Sequence, residues 1–251
     1  MDFSSSELMA YRASLELKDA DVVFVGIGLP NLACNLARET HAPNLCLIYE
    51  SGAVGAVPER LPVSIGDPAL VTDSLAIVGM ADIFQSYLQR GFIEVGFLGG
   101  AQVDRWGNIN TTVIGDYKNP KVRLPGSGGA CEIAIHARKL FLVMKMNPKS
   151  FVEKCDFITS PGNRSNGKTR KEWGLPGSGP LTAITDLGVC TFIDGEMTLT
   201  ETYPGVSLEK IKTSCGWPLK IASDLKTCPP PSPAILKLLR EKLDPQKLFL
   251  G

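Results

Sequence analysis

Glu50 is the residue whose type and neighbours most strongly indicate chemistry in this sequence. It follows the apolar stretch 44–49 (NLCLIY) and precedes Ser51 and Gly52, so we expect its side chain in a turn at the end of a buried strand. A carboxylate in such a turn can act as a nucleophile, a base or a metal ligand. It can equally be a capping acid or half of an ion pair, and the local pattern leaves these alternatives open.

Four glycine-centred loops accompany this carboxylate, and three of them directly follow a predicted strand. Glycine allows the backbone to approach a ligand closely and to direct N–H groups at it. In open parallel sheets, ligands bind outside the carboxyl ends of the strands. The sequence therefore predicts a binding site built from these loops. They are residues 26–30 (GIGLP), 50–53 (ESGA), 99–104 (GGAQVD) and 125–130 (PGSGGA).

The GSGG loop at residues 126–129 leads into a predicted helix at 132–138. Free N–H groups at a helix start can bind an anion or stabilise an oxyanion, whereas the alternative is a turn that only packs. Neither glycine pattern is a nucleotide fingerprint, since GIGLPN lacks a third glycine and no Gly-Lys-Ser/Thr follows GSGG. Gln102 could face a substrate, while Asp104 and Asn108 are predicted to hydrogen-bond their own turn.

Alternating strands and helices are predicted to position these loops. A strand, a helix and a second strand within about 30 residues indicate a right-handed crossover in a parallel sheet. Strands are predicted at residues 21–28, 44–49, 94–98, 140–145, 157–159, 182–186, 188–193 and 197–202. Helices are predicted at residues 4–18, 30–40, 73–90, 132–138, 208–214 and 233–242.

Two segments interrupt this alternation. Residues 163–179 are predicted to form a long loop whose basic side chains lie at the solvated surface, with contact to the phosphates of a cofactor as the alternative. Those side chains are Arg164, Lys168, Arg170 and Lys171. The proline-rich stretch 226–233 (KTCPPPSP) is expected to be an extended surface connection to a C-terminal helix.

Composition argues against several classes of function. The chain has 251 residues with 26 basic and 26 acidic side chains, so its charge gives no reason to expect nucleic acid or an anionic membrane as a partner. The N-terminus lacks the pattern of a secretory signal, and the apolar stretches fall far short of the roughly 20 residues that cross a bilayer. A cytoplasmic protein is therefore expected. The seven cysteines are never spaced as C-x-x-C, so neither a disulfide framework nor a metal site is expected.

Three long stretches of the sequence resemble the β subunits of the glutaconate CoA-transferases, within the family I CoA-transferases. They are FVGIGLPNLACNLARETHAPNLCLIYESGAVG, GFIEVGFLGGAQVDRWGNINTTVIGDYKNPKVRLPGSGGACEIA and FVEKCDFITSPG. Their order and spacing agree with that family from about residue 22 to residue 188, which is most of the chain. The long GGAQ segment followed by PGSGGA and SPG makes the resemblance specific.

This resemblance implies a mechanism in which Glu50 attacks an acyl-CoA and becomes a glutamyl-CoA thioester. The GSGG loop would offer amides to the thioester oxygen, and these positions are Gly126, Ser127, Gly128 and Gly129. Further positions would line the same cavity, namely Gly26, Gly28, Ser51, Gly52, Gly99, Gly100 and Gln102. Coenzyme A would enter as a substrate, and no metal is expected.

The resemblance also implies an α/β fold: an open three-layer α/β/α sandwich with a mainly parallel sheet, as a single domain over residues 1–251. A homologous-fold α subunit would complete the active site, in a heterotetramer or a larger assembly. Because some decarboxylating relatives carry another residue at the Glu50 position, the glutamate favours CoA transfer from an acyl-CoA to a free dicarboxylic, aromatic or alicyclic acid. Hydrolysis of an acyl-CoA or of a carbon–carbon bond is the alternative reaction, and a non-catalytic partner subunit is the alternative role.

Overall fold

The computed structural model describes residues 3–250, which form two compact units. Unit 1 holds the described residues of Met1–Phe97 and Pro230–Gly251, and unit 2 holds Leu98–Pro229. Residues 1, 2 and 251, which the predicted single domain includes, lie outside the described part. The single domain itself stays a prediction.

A sheet of five short strands runs through unit 1. They are β1 (Val22–Phe24), β2 (Cys46–Ile48), β3 (Ala53–Val54), β4 (Ala76–Ile77) and β5 (Val95–Leu98), whose last residue opens unit 2. Their order is β5-β1-β2-β3-β4. β1 is parallel to both of its neighbours, while the pairs β2–β3 and β3–β4 are antiparallel. The parallel crossover expected between the first two strands is therefore present.

The helices of unit 1 share a leucine-rich core. The helices are α1 (Ser5–Ser14), α2 (Leu29–Arg38), α3 (Met80–Asp82, continuing as a π-helical stretch Ile83–Leu88) and a C-terminal helix (Pro233–Lys237, continuing as Leu238–Leu243). Apolar side chains from α1, α2 and the C-terminal segment meet in one buried cluster, which consists of Ala10, Leu32, Leu36, Leu61, Leu239 and Leu250. Burial of these side chains explains why the end of the chain returns to unit 1.

Unit 2 contains a second five-stranded arrangement. Its strands are β10 (Lys139–Val143), β13 (Pro180–Ile184), β14 (Gly188–Ile193), β15 (Glu196–Thr202) and β16 (Lys220–Thr227). β10 is parallel to β13, and β15 is parallel to β16, whereas β13, β14 and β15 follow one another as antiparallel neighbours. The hairpin predicted for residues 188–202 is therefore confirmed.

Three two-stranded ribbons and two short helices complete unit 2. The ribbons pair β6 (Gln102–Val103) with β7 (Ile109–Asn110), β8 (Val113–Gly115) with β9 (Pro120–Arg123), and β11 (Arg164–Ser165) with β12 (Lys168–Thr169). The helices are α4 (Ala130–His136) and α5 (Leu208–Thr213). No helix within residues 3–250 is long and apolar enough to span a lipid bilayer.

The structure corrects two predicted elements. The helix predicted at 73–90 begins only at Met80, because Ala76–Ile77 form β4 and pair with β3. Periodicity could not separate these residues from the helix, since a two-residue strand is too short to show a period. Residues 157–159 are not a strand, and only the next residue, Ser160, makes an isolated bridge, with Ile109.

The proline-rich stretch 226–233 also differs from its prediction. Its first two residues belong to β16 and pair with β15, Lys226 opposite Glu201 and Thr227 opposite Thr202. Proline lacks an N–H donor, and the first proline here is Pro229, so the residues before it are free to pair. The irregular connection is therefore shorter than predicted, and the C-terminal helix follows it as expected.

A buried carboxylate joins the two ends of unit 1. Glu7 forms a capping box with Ser4, whose side chain accepts a hydrogen bond from the Glu7 N–H at 3.2 Å. Arg240 Nη2, on the C-terminal helix, donates to Glu7 Oε2 at 2.9 Å, and only 5% of the Glu7 side chain is exposed. Hydrogen bonding from Arg240 holds the pKa of Glu7 below its ordinary value.

We predict that Arg240→Met lowers the free energy of unfolding by about 1–3 kcal/mol at neutral pH, because the buried Glu7 carboxylate loses its charged donor and keeps the Ser4 N–H at 2.7 Å. The pKa of Glu7 is lower in the folded than in the unfolded chain, so the contribution is complete above the unfolded value of 4.5 and is lost as the pH falls below it. Urea unfolding at about pH 7 and about pH 3.5 tests this. Lys237→Met, which alters an exposed lysine on the same helix, is the control. A difference between R240M and wild type that does not become smaller at the lower pH would contradict the prediction.

Candidate active site

Glu50 and Ser51 occupy the two central positions of the tight turn between β2 and β3. The Gly52 N–H donates to the Tyr49 carbonyl oxygen at 2.9 Å, and the Tyr49 N–H donates to the Ala53 carbonyl oxygen at 2.9 Å. These two bonds close a hairpin loop of the kind that carries a glycine bulge. Glu50 is half-buried and Ser51 is exposed. The turn predicted at this strand end is therefore confirmed.

Gly52 is the residue that makes this turn possible. Its φ of 114° lies in a region that residues with a side chain rarely adopt. A Cβ at Gly52 would lie 2.0 Å from the carbonyl oxygen of Val78, which is backbone and cannot move aside alone. The Gly52 carbonyl in turn accepts from the Val78 N–H at 3.0 Å. The conformation that presents Glu50 therefore depends on a glycine at position 52.

Tyr49 anchors the residue directly before Glu50. Its ring is fully buried, and its hydroxyl oxygen accepts a hydrogen bond from Asn31 Nδ2 at 2.8 Å. Asn35 Nδ2 donates to Asn31 Oδ1 at 2.8 Å, so both asparagines of α2 belong to the network. Burial raises the pKa of the Tyr49 phenol. Sequence reasoning missed Asn31, although a buried polar residue among the apolar residues of NLACNLAR was a signal.

The turn that contains Gly26 and Gly28 lies at the same edge of the sheet as Glu50. β1 and β2 are parallel neighbours, with Phe24 opposite Ile48, so the turns that follow them lie side by side. Gly28 has a φ of 103° and begins α2. No atom lies within 4 Å of a Cβ built on Gly26 or Gly28. In unit 1 the structure thus brings Gly26, Gly28, Glu50, Ser51 and Gly52 to one edge, with open space beside the first two.

In unit 2, the GGAQ segment is tightly packed. A Cβ at Gly100 would lie 2.3 Å from Ile109 Cγ2, and one at Gly99 would lie 3.1 Å from the Val143 carbonyl oxygen. Gln102 is buried, and its side-chain oxygen accepts from Asn110 Nδ2 at 2.7 Å and from the Asp156 N–H at 3.0 Å. Its Nε2 donates to Asp156 Oδ2 at 3.1 Å. The side-chain oxygen and nitrogen of Gln102 are thus both hydrogen-bonded within the protein, and its place in a substrate cavity stays a prediction.

Asp104 and Asn108 form the local network predicted for them. Asp104 Oδ1 accepts from the N–H groups of Trp106 and Asn108, at 2.9 and 3.1 Å, and Oδ2 accepts from Asn108 Nδ2 at 2.8 Å. Burial raises the pKa of the Asp104 carboxyl. Asn108 Oδ1 also accepts from the Gly162 N–H at 2.9 Å, so the turn is tied to the SPG segment.

The GSGG loop contains backbone N–H groups for which the described part of the chain offers no acceptor. Gly126 has a φ of 99° and Gly128 a φ of 46°, and nothing lies within 4 Å of a Cβ built on either. The Ser127 side chain accepts from the Cys131 N–H at 3.2 Å at the start of α4. Within residues 3–250, no acceptor is recorded for the backbone N–H groups of Ser127, Gly128 and Gly129. Successive N–H groups in this arrangement can surround an anionic oxygen.

Arg170 was expected at a solvated surface, and this prediction is wrong. Only 7% of Arg170 is exposed, and its guanidinium donates to backbone carbonyl oxygens. The prediction treated it like Arg164, Lys168 and Lys171, which are exposed as expected. A basic residue in a polar loop gives no local signal of burial, because the carbonyl oxygens that receive its hydrogen bonds come from other segments. Burial lowers the pKa of Arg170 to about 10.

Comparison with known proteins identifies the family. The sequence matches the family model described as Coenzyme A transferase over residues 6–214. The chain belongs to the coenzyme A transferase family. The resemblance seen in the sequence is therefore confirmed, and the glycine loops and Glu50 lie within the matched region.

Relatives and solved structures agree with this assignment. The chain is 48% identical to the β-type subunit of 3-oxoadipate CoA-transferase from Pseudomonas knackmussii, over 95% of this chain and 92% of that subunit. It is 34% identical to the β-type subunit of glutaconate CoA-transferase from Acidaminococcus fermentans, over 99% of this chain and 96% of that subunit. The crystal structure of the latter enzyme superposes with a TM-score of 0.92, covering 100% of this chain and 98% of that chain.

These matches confirm the predicted α/β fold and the predicted kind of enzyme chain, the β subunit of a CoA-transferase. Coenzyme A is a substrate in this family, and relatives that are single subunits of their enzymes imply a partner subunit. The decarboxylase AibA/AibB superposes with a TM-score of 0.85 at 24% identity, which shows a shared fold alone. The absence of a metal stays a prediction.

We predict that Gly52→Ala lowers both stability and transferase activity. The new Cβ meets the Val78 carbonyl and the backbone cannot keep its φ, so the free energy of unfolding should fall by about 1–3 kcal/mol or more, and the Glu50 turn should move. Gly91→Ala is the matched control, because Gly91 has a φ of 76° in unit 1 but no atom within 4 Å of its Cβ. Urea unfolding and a transfer assay measure the effects. Equal losses in the two variants would show that the contact with Val78 has no influence.

Proposed function

We propose that this β subunit moves CoA between an acyl-CoA and a free carboxylic acid through a glutamyl-CoA thioester on Glu50. The observation that carries the proposal is the position of Glu50. A glycine-dependent turn holds it at the carboxyl edge of the unit 1 sheet, beside the open turn at Gly26 and Gly28. A carboxylate nucleophile divides one difficult exchange into easier steps and needs neither a metal nor a redox group.

The exchange needs no reactant besides the acyl-CoA, the free acid and Glu50. A Glu50 carboxylate oxygen attacks the thioester carbonyl carbon, the carbon–sulfur bond breaks, and the products are a mixed anhydride between Glu50 and the acyl group and the CoA thiolate. The thiolate then attacks the Glu50 carbonyl carbon, which gives the glutamyl-CoA thioester and releases the first acid as a carboxylate. A second carboxylate attacks this thioester, and the same steps in reverse produce the new acyl-CoA and regenerate Glu50.

We propose that the GSGG loop stabilises the negative charge that forms in these steps. Each attack places negative charge on a carbonyl oxygen, and N–H donors fixed in advance lower the energy of that state. The N–H groups of Ser127, Gly128 and Gly129 have no recorded acceptor within the described residues. We propose that these three N–H groups donate hydrogen bonds to the oxyanion. Removal of one such donor typically costs about 2.7–4 kcal/mol in the transition state.

For the acid, we propose a dicarboxylate. The relatives at 48% and 34% identity are named for 3-oxoadipate and glutaconate, and both of these compounds carry two carboxylates. The similarity covers almost the whole chain in each case, so the same class of acid is the best-supported substrate. CoA would then be transferred to one of the two carboxylates of such an acid.

We predict that Glu50→Ala abolishes transfer, with a loss of at least about 10³-fold in kcat, because the nucleophile is gone. Glu59→Gln, which alters an exposed carboxylate in the same unit, is the control and should retain activity. Borohydride treatment after addition of acyl-CoA should modify Glu50 in the wild type alone, as mass spectrometry of the peptide would show.

The same assay separates the alternative reactions. Free thiol released without formation of a new thioester would indicate hydrolysis of the acyl-CoA. Near-normal turnover by a carefully purified E50A protein would overturn the covalent mechanism. No consumption of acyl-CoA by the wild-type complex would leave a non-catalytic role for this subunit.

The partner is proposed to be a homologous-fold α subunit, in a heterotetramer or a larger assembly. Unit 1 exposes many apolar side chains between residues 57 and 80, the segment that follows the Glu50 hairpin, and these are Val57, Val63, Ile65, Val71, Leu75, Ile77 and Met80. Leu75 is 79% exposed and Ile77 is 56% exposed. β4, which contains Ile77, is the outer strand of the unit 1 sheet and pairs with β3 on one side only. Concentrated exposed apolar surface of this kind supports an interface between subunits.

We predict that the double change Leu75→Glu and Ile77→Lys weakens binding of the α subunit at least about tenfold, which corresponds to about 1.4 kcal/mol. Charged groups at these positions would have to be desolvated on assembly. Phe92→Lys is the control, because Phe92 is 62% exposed in the same unit but outside residues 57–80. Co-purification and light scattering measure assembly. An unchanged complex in the double variant would exclude this surface as the interface.

A further inference from the structure

The GSGG loop is fixed at its first residue by one threonine. The Gly126 N–H donates to the Thr111 carbonyl oxygen at 2.8 Å, and Thr111 Oγ1 donates to the Gly126 carbonyl oxygen at 2.7 Å. At the other end, the loop runs directly into α4, and the Ala130 N–H donates to the Ser127 carbonyl oxygen at 2.9 Å. The position of the loop N–H groups is thus set by where Thr111 and α4 lie.

Thr111 is itself held by Thr159, the residue that directly precedes the SPG segment (residues 160–162). The Thr111 N–H donates to Thr159 Oγ1 at 2.9 Å, and the hydroxyls of Thr112 and Thr159 are 2.7 Å apart. Thr159 is buried and its N–H donates to the Ile109 carbonyl oxygen at 2.9 Å. The position of Thr111, the first anchor of the loop, therefore depends on Thr159, which leads into SPG.

Arg170 joins that segment to the end of α4. Its Nη1 donates to the carbonyl oxygens of Pro161 and Gly162, both at 3.3 Å, within the SPG segment. Its Nη2 donates to the last turn of α4, at 3.0 Å to Ala134 and 3.1 Å to Ile135. Its Nε donates to the Gly177 carbonyl oxygen at 2.9 Å. One guanidinium thus contacts both α4, which follows the GSGG loop, and the SPG segment, which follows the Thr159 that holds Thr111.

The chemistry of these contacts suits arginine alone. Five acceptors surround one planar group, and arginine carries five N–H donors in a fixed fork, whereas lysine has three donors on a single nitrogen. Within residues 3–250, no carboxylate is recorded as an ion-pair partner of Arg170. The carbonyl oxygens alone therefore compensate the buried charge, and losing their geometry would be costly.

We propose that Arg170 is a positioning residue for the transfer reaction, which sets the spacing between the two anchors of the GSGG loop. It does not touch the reacting atoms. Through the SPG segment and α4, it keeps the N–H groups of Ser127, Gly128 and Gly129 directed at one point. This role rests on the proposed function, because it matters for catalysis only if those N–H groups bind the oxyanion.

The test uses Arg170→Lys and Arg170→Met in the full chain, co-expressed with its α subunit. Lys171→Met, at the exposed neighbouring position, is the matched control. Hydrogen–deuterium exchange of the two hydrogen-bonded N–H groups of the loop segment, those of Gly126 and Ala130, should be at least about tenfold faster without substrate in both Arg170 variants. Their kcat should fall by at least about tenfold, while the KM for acyl-CoA changes less than about threefold, as expected when donors act mainly on the transition state.

Two outcomes would overturn the role of Arg170. One is wild-type exchange in the loop of a folded Arg170 variant, and the other is faster exchange with an unchanged kcat. If the Arg170 variants do not fold, Thr111→Val takes their place, because it removes the hydroxyl bond to Gly126 at the opposite anchor. Unchanged exchange of the Gly126 N–H, or faster exchange with an unchanged kcat, would then overturn the proposal. Because exchange is measured without substrate, failure of the proposed function appears separately, as a wild-type complex that does not transfer CoA.

Discussion

The parallel pairing of β1 with β2 is the constraint on which the position of Glu50 depends. It places the end of each strand at the same edge of unit 1, so the turn after β1 and the turn after β2 lie next to each other. The β2–β3 turn then reverses the chain within two residues, and that reversal requires the backbone conformation of Gly52. The buried Tyr49–Asn31 bond ties the start of the turn to α2. Glu50 is thus positioned by backbone and buried contacts on both sides, although its own side chain is half-exposed.

Local patterns were sufficient to predict the parts of the fold that depend on neighbouring residues. The turn at Glu50 was predicted from an apolar run that ends in polar and glycine residues, and the helix after GSGG from the glycine turn that opens it; the structure contains both. The failed elements had short or mixed signals. β4 has two residues, and the helix predicted from residue 73 wrongly included them. The 157–159 segment is apolar enough for a strand but pairs with no named strand.

The site residues that sequence reasoning missed are those whose partners are distant in the chain. Asn31 bonds to a tyrosine 18 residues away, and Arg170 bonds to carbonyl oxygens up to 36 residues away. A polar side chain gives the same local signal whether it meets water or a buried carbonyl oxygen. Only the tertiary structure supplies the acceptor, and burial then makes the hydrogen bond obligatory. Residue type alone therefore cannot distinguish Arg170 from the exposed Lys171 beside it.

The two units use the same physical solution for different chemical groups. In unit 1, main-chain hydrogen bonds fix the turn that bears a carboxylate; in unit 2, they fix a loop that bears unused N–H groups. Glycines supply the conformation in both places, but they also remove the side chains that would stiffen the backbone. The rigidity must then come from outside the glycine segments, and here it comes from Tyr49 with Asn31 in one unit and from Thr111 and Arg170 in the other. An oxyanion site made of main-chain donors is only as well organised as these supports, because its N–H groups have no rotamers of their own and follow the backbone that carries them.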